Sequence, residues 1–277
     1  MIITDYLERN ARLYGAESAL VEINPSDERD QASTWRELNL IASAHPDAPY
    51  RRELSWKDFD RRANRFANLL LSRGIKRGTK VAILLMNCLE WLPIYFGILK
   101  AGCVAVPMNF RYSSDEIKYC LDLADVEVLV FGPEFISRMN PIVDSLAMVK
   151  TLFFVGNEVP AYAEDCMKLT GYCSSAAPPV LLEDTDDAAI YFSSGTTGFP
   201  KAILHNHRAL VSSCRTEQSH HSLRSLFSKQ ALSGGVSIIK TVSFIFSLIC
   251  IAPSTSISRI TSLPPAIASK TSFSGVP

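Results

Sequence analysis

Four short apolar runs set the fold: KVAILLM at 80–86, CVAVP at 103–107, VEVLVFG at 126–132 and KTLFFVG at 150–156. Hydrophobicity that is continuous rather than alternating marks strands covered on both faces, and strands separated by helices imply parallel pairing. The expectation is an α/β fold, a mostly parallel sheet flanked by helices.

The segments between the runs carry helix punctuation. Ser55 precedes WKDFDRRANRFANLLLSRG, in which Phe59, Ala63, Phe66, Ala67 and Leu70 share one helical face, and Gly74 supplies the stop. Asn87 with Glu90 three residues on reads as a capping box opening a helix that runs through Lys100, with Gly102 just past its end. Pro93 is an oddity there, tolerable only in the first turn. Ser113 or Ser114 caps DEIKYCLDLA, and a helix is expected around 134–147. Residues 157–186, with SSAAPP and EDTDD, read as surface loop.

DAAIYF at 187–192 is a further strand, and the loop SSGTTGFPK begins where it stops. In a parallel sheet, ligands bind beyond the carboxyl ends of the strands, so the loop has the position of a site. Gly195 and Gly198 permit turns and close approach of backbone amides to an anion. Ser193, Ser194, Thr196 and Thr197 add hydroxyls that can donate to phosphate oxygens or ligate Mg²⁺, and Lys201 adds a charge. A phosphate cradle is the natural inference. A Walker A loop is excluded, since that motif needs four residues between its glycines and a Lys directly after the second. A hydrolase pairing Ser194 with Lys201 would lack a GxSxG elbow and leave the threonines without a role. An ordinary Ser/Thr/Gly hairpin is the bland alternative, disfavoured by the Phe199-Pro200-Lys201 that follows.

SSGTTGFPKA resembles the signature loop of the adenylate-forming (AMP-binding) superfamily, which includes acyl-CoA synthetases, aryl-CoA ligases and luciferases; Ala202 stands where that loop has Gly. LSWKDFDRRANRFANLL at 54–70 is similar to the family's early helix, and LKAGCVAVPMN at 99–109 to its second core motif. The resemblance covers residues 1–217. It implies ATP-dependent activation of a carboxylic acid, fatty or aryl, to an acyl-adenylate with release of pyrophosphate. Transfer to the thiol of coenzyme A follows. It also implies roles. Ser193, Ser194, Gly195, Thr196, Thr197, Gly198 and Lys201 would hold the ATP phosphates, with Thr196 and Thr197 near Mg²⁺ and Lys201 paired with the departing pyrophosphate. The family's acid-pocket, adenine, ribose, hinge and C-terminal Lys segments have no counterpart in residues 222–277. No catalytic set is therefore complete in the sequence, and the resemblance implies a truncated, inactive fragment.

Charge marks the same break. The net charge is zero, but all 28 acidic residues lie at or before Glu217 and five of the 28 basic ones follow it, which leaves −5 before and +5 after. A neutral chain offers no field for nucleic acid or an anionic membrane. Residues 218–277 are expected to be an irregular, poorly ordered segment; from 222 onward it holds 14 Ser and no Asp or Glu, unlike folded surfaces that mix both signs. The leading reading is out-of-frame translation or a mis-called exon. A tail anchor at 236–253 is a second reading, although its unbroken apolar run falls short of the ~20 residues a span needs. A short protein that binds nucleotide or a partner without catalysis is the third. The N-terminus shows no secretory pattern, and seven Cys without CxxC spacing argue against a disulfide framework or zinc ribbon, so a cytoplasmic location is expected. His205 and His207, placed on one strand end with His220 and His221 nearby, form a weak metal candidate against the blander reading of a strand end and helix entry. Lys76, Arg77 and Lys80 read as a solvated charge run rather than a coenzyme A site.

Overall fold

A computed structural model of the chain describes residues 1–23, 51–193 and 200–220. They form helices α1 (Ile3–Leu13), α2 (Trp56–Ser72), α3 (Trp91–Lys100), α4 (Ser114–Leu123), α5 (Ile136–Met139), α6 (Cys166–Tyr172) and α7 (His207–His220). The strands are β1 (Ser18–Ile23), β2 (Arg51–Ser55), β3 (Lys80–Leu84), β4 (Val104–Pro107), β5 (Val126–Phe131), β6 (Thr151–Phe154), β7 (Glu164–Asp165), β8 (Asp187–Ser193) and β9 (Lys201–Asn206). Seven strands make one sheet in the order β7-β6-β5-β3-β4-β8-β9, parallel throughout except that β9 runs antiparallel to β8. A separate antiparallel pair, β1-β2, lies outside it.

The continuous apolar runs are explained by burial on both faces. Val81 and Ile83 of β3 join a core beneath α1, α2 and α3, while Ala82 and Leu84 join a second core beneath α4 and α5. Val128 and Val130 of β5 face the first, and Leu129 and Phe131 the second. Each strand thus loses both rows of side chains to packing, which is why no polar alternation survives in the sequence.

The helix signals hold at α2 and α4. Ser55 Oγ accepts from the Asp58 amide, and Ser113 with Glu116 forms a reciprocal capping box. Gly74 and Gly102 both have φ +72°, the left-handed turn that ends the helices before them.

Three expectations need correction. The helix after β3 starts at Trp91, not Asn87: residues 87–90 are bend and turn, the Leu89 amide donates to Glu22 Oε2 at 2.7 Å, and the Glu90 carboxylate faces Arg52 and Arg62 instead of capping. Pro93 is then the third helical residue, where its missing N–H would have had no helical acceptor. The helix expected over 134–147 is broken into α5 and flanking 3-10 turns at 133–135 and 143–145; Pro141, just past α5, has no N–H with which to extend its ladder. Residues 157–186 are not plain loop, since they hold β7 and α6; the Asn64 and Asn68 amides of α2 also donate to the carbonyls of Ser174, Ser175 and Ala176.

Among the described residues, no helix is long and apolar enough to cross a membrane. The segment at 236–253 lies outside them.

Candidate functional site

The candidate site lies where β8 ends at Ser193 and β9 begins at Lys201. β8 lies parallel to β4, so its end at Ser193 opens on the same side of the sheet as the loops after β3, β4 and β5. Antiparallel pairing sets Ser193 opposite Lys201. Ser193 is half-buried, Lys201 exposed and Pro200 buried. Of the seven residues expected to cradle phosphate, the structure brings these two together at the mouth of the hairpin. Ser194, Gly195, Thr196, Thr197 and Gly198 lie outside the described residues.

Both faces of β8 are anchored. Tyr191, buried, meets Tyr95 of α3 hydroxyl to hydroxyl at 2.8 Å, and its ring lies 5.4 Å from that of His205 on β9. Burial pushes both phenols above their ordinary value, so they serve as a neutral hydrogen-bonded pair. On the opposite face the Phe192 ring meets Tyr112 edge to face at 6.5 Å. Neither contact was sought in the sequence, because a Tyr or Phe inside an apolar run looks like any core residue.

Beyond β9 the chain turns directly into α7. Asn206 Oδ1 accepts from the Ala209 amide at 2.8 Å as the helix cap, and the amides of His207 and Arg208 donate to the carbonyls of Asp186 and Asp184. Arg208 donates twice to Asp184 and holds its carboxyl below the usual range. The Glu183 amide does the same for Asp186, helped by an ion pair with Arg77. Arg77 also donates to the Leu181 carbonyl, so one member of the 76–80 charge run is a surface fastener.

The two histidines do not share a strand face as expected: β9 ends at Asn206, and His207 is the first residue of α7. Among the described residues no group of three or more His, Cys, Asp or Glu could hold a metal ion. His207 is buried with Nδ1 unpaired, and burial holds its imidazole below the ordinary 6.5 despite Asp186, Asp5 and Asp184 nearby. Its folded-state pKa is therefore depressed. The unfolded chain binds the proton more readily, so the stability His207 contributes is complete above about 6.5 and is lost as pH falls below it. Denaturation midpoints followed from neutral to mildly acidic pH should fall in the wild type and flatten in His207→Gln; equal slopes would refute the assignment.

An open cleft of about 820 Å³ lies over α1 and the start of α2, lined by Glu8, Arg12, Ser55, Asp58 and Asp60 among others, and includes no residue of the hairpin.

Comparison with known proteins decides the family. The family described as AMP-binding enzyme matches residues 7–266. The chain belongs to the AMP-binding enzyme family. The 3-hydroxybenzoate–CoA/4-hydroxybenzoate–CoA ligase of Thauera aromatica is 29% identical over 175 residues, covering 62% of this chain and 33% of that protein. The anthranilate CoA ligase AuaEII, solved with anthranoyl-AMP, aligns with TM-score 0.65 at 24% identity, over 78% of this chain and 36% of that one, a likeness of fold. ATP-bound MatB from Rhodopseudomonas palustris aligns with TM-score 0.52 at 27% identity, over 61% of this chain and 32% of its own. The chain spans about a third of the length of the curated relatives it matches. Within the family, the described residues supply the sheet whose strand ends carry the signature loop.

Proposed function

We propose that the β8–β9 hairpin is the ATP phosphate cradle of an acid–thiol ligase that converts a carboxylic acid to its acyl-adenylate and passes it to coenzyme A. The observation that carries this reading is the pairing of Ser193 with Lys201 at the carboxyl end of the parallel strands, directly flanking SGTTGFP. A hydroxybenzoate–CoA ligase and a medium/long-chain-fatty-acid–CoA ligase, both among its relatives, support an aryl acid as readily as a fatty one. In the first step a carboxylate oxygen attacks the α-phosphorus of ATP and the bond to the pyrophosphate oxygen breaks. Charge grows on the departing group, and an ammonium with preorganised amides beside it lowers the barrier. Lys201 is that ammonium. Ser193 and Ser194 shape the cradle, Gly195 and Gly198 permit its turns, and Thr196 and Thr197 reach the β- and γ-phosphates. Those two threonines are also the residues proposed to hold Mg²⁺, which would neutralise phosphate charge when bound. In the second step the coenzyme A thiolate attacks the acyl carbon and AMP leaves.

Residues 1–217 are read as a partial adenylate-forming N-terminal domain that carries the phosphate cradle, and 218–277 as a separate Ser-rich segment without acidic residues, out of frame or disordered. That division rests on charge, since the family match itself runs to residue 266. None of the seven residues assigned to the cradle would hold adenine, ribose or the acid, so the purified chain is expected to bind ATP without acid-dependent exchange of pyrophosphate into ATP. Titration calorimetry provides the test. Lys201→Ala should raise the dissociation constant for ATP about tenfold, in line with a charge-assisted contact of about 1.5 kcal/mol, while Lys201→Arg retains most of the affinity. Equal affinity in Lys201→Ala and wild type would remove the reading.

A further inference from the structure

A cation other than Lys201 lies on the carboxyl side of the sheet, on the helix that follows β5. Arg138 projects from α5, and its Nη1 donates to the carbonyls of Phe110 at 2.6 Å and Tyr112 at 2.9 Å. Its guanidinium also lies over the Phe135 ring, 4.7 Å from the centroid. Phe110 and Tyr112 belong to the loop that leaves β4, the strand beside β8. Within that loop Asn109 Oδ1 accepts from the Arg111 amide at 3.0 Å, and the Tyr112 amide donates to the Asn109 carbonyl. Tyr112 is therefore held through both its backbone groups: Arg138 donates to its carbonyl, and its amide donates to the Asn109 carbonyl. Its ring is buried, and the side chain packed edge to face on it is Phe192. Phe192 directly precedes Ser193 and pairs across the hairpin with Ala202, next to Lys201.

We infer that Arg138 is a positioning residue for the base of the β8–β9 hairpin, acting through the Phe110 and Tyr112 carbonyls and the Tyr112 ring on Phe192. The inference builds on the reading of that hairpin as a phosphate cradle. A single guanidinium with two carbonyl acceptors and an aromatic bed makes a planar, directional clamp. Without it the post-β4 loop loses the donor for two carbonyls, and Tyr112 keeps only its amide bond to Asn109. Phe192 then loses its fixed neighbour, so the mismatch arrives at Ser193 and Lys201. Small displacements of groups that grip a substrate are costly in binding and rate.

The experiment uses the full chain and two readouts. Amide hydrogen exchange is compared across the sheet for wild type, Arg138→Ala, Arg138→Lys and Tyr112→Leu, and ATP affinity is measured on the same proteins by calorimetry. In Arg138→Ala, exchange in 187–193 and 201–206 should quicken about tenfold relative to the β5–β6 pairing, and the dissociation constant for ATP should rise by a similar factor. Arg138→Lys, which retains a donor for the carbonyls, should recover much of both. Tyr112→Leu, which leaves Arg138 and both carbonyls in place, should reproduce the hairpin effect and keeps the test open if Arg138→Ala fails to fold. Exchange that quickens equally throughout the sheet, or not at all in the hairpin, overturns the inference by showing an ordinary structural role or none. Should wild type show no ATP binding, the cradle reading fails, and the exchange pattern still decides whether Arg138 positions the hairpin.

Discussion

Replacing Lys100 with Met should destabilise the fold by about 3–5 kcal/mol, the range for removing one partner of a buried ion pair. The side chain is only 2% exposed. Its ammonium donates at 2.8 Å to each of Glu8 Oε1, Asp60 Oδ1 and Asn64 Oδ1, so three donors meet three acceptors. These acceptors come from α1 and α2, while Lys100 ends α3; one charge thus ties three helices. In the variant, Glu8 is half exposed and can rehydrate, but Asp60 keeps a carboxylate only 19% exposed with its principal cation gone. Urea denaturation measures the loss, and Lys100→Met combined with Asp60→Asn should recover part of it, because the uncompensated charge is then removed. A loss below about 1 kcal/mol would equate the cluster with a solvated surface pair.

The sequence makes Lys100 look ordinary. A Lys in the last turn of a helix is what the helix dipole favours, and nothing local shows that the helix is buried all round. What can be read locally came through: the buried strands by their unbroken apolar runs, α2 and α4 by Ser55 and Ser113, and the helix ends by Gly74 and Gly102. The errors arose where a tertiary partner outbid a local signal. Asn87 and Glu90 have capping-box spacing, but Glu90 is drawn to Arg52 and Arg62, and Glu22 takes the Leu89 amide instead. The β1-β2 pair went unread because its register depends on residues some thirty positions apart.

The site divides similarly. The loop from Ser193 to Lys201 stands out through its composition of hydroxyls and glycines, and the role proposed for it rests on that composition and on the Ser193–Lys201 pairing. Its supports do not. Tyr95, Tyr112, Arg138 and Phe192 are single residues in unremarkable contexts, and their significance lies in distances across elements: 2.8 Å between two phenols, and one guanidinium over two carbonyls. A local pattern shows clustered polar residues more readily than it shows the side chains from other elements that pack against them.

Gly97→Ala should cost about 2–3 kcal/mol, although intrinsic helix propensity alone would favour Ala by up to about 1 kcal/mol. A Cβ at this position would lie 2.7 Å from the Ala63 carbonyl oxygen and 2.9 Å from Phe66 Cβ, both on α2. Neither atom can swing aside by a rotamer change, so α3 itself would have to back away from α2. Every residue of α3 is buried, and retreat would compress its other neighbours. Overpacking therefore outweighs propensity and reverses the sign. Urea denaturation decides between them: an Ala variant as stable as wild type would mean that the crossing is loose enough to yield. The effect should also reach the hairpin, because Tyr95 sits two residues before Gly97 on the same helix and its hydroxyl meets Tyr191, two residues before Ser193. A displaced α3 would stretch that 2.8 Å contact, so amide exchange in β8 should quicken in Gly97→Ala even under conditions where the protein remains folded.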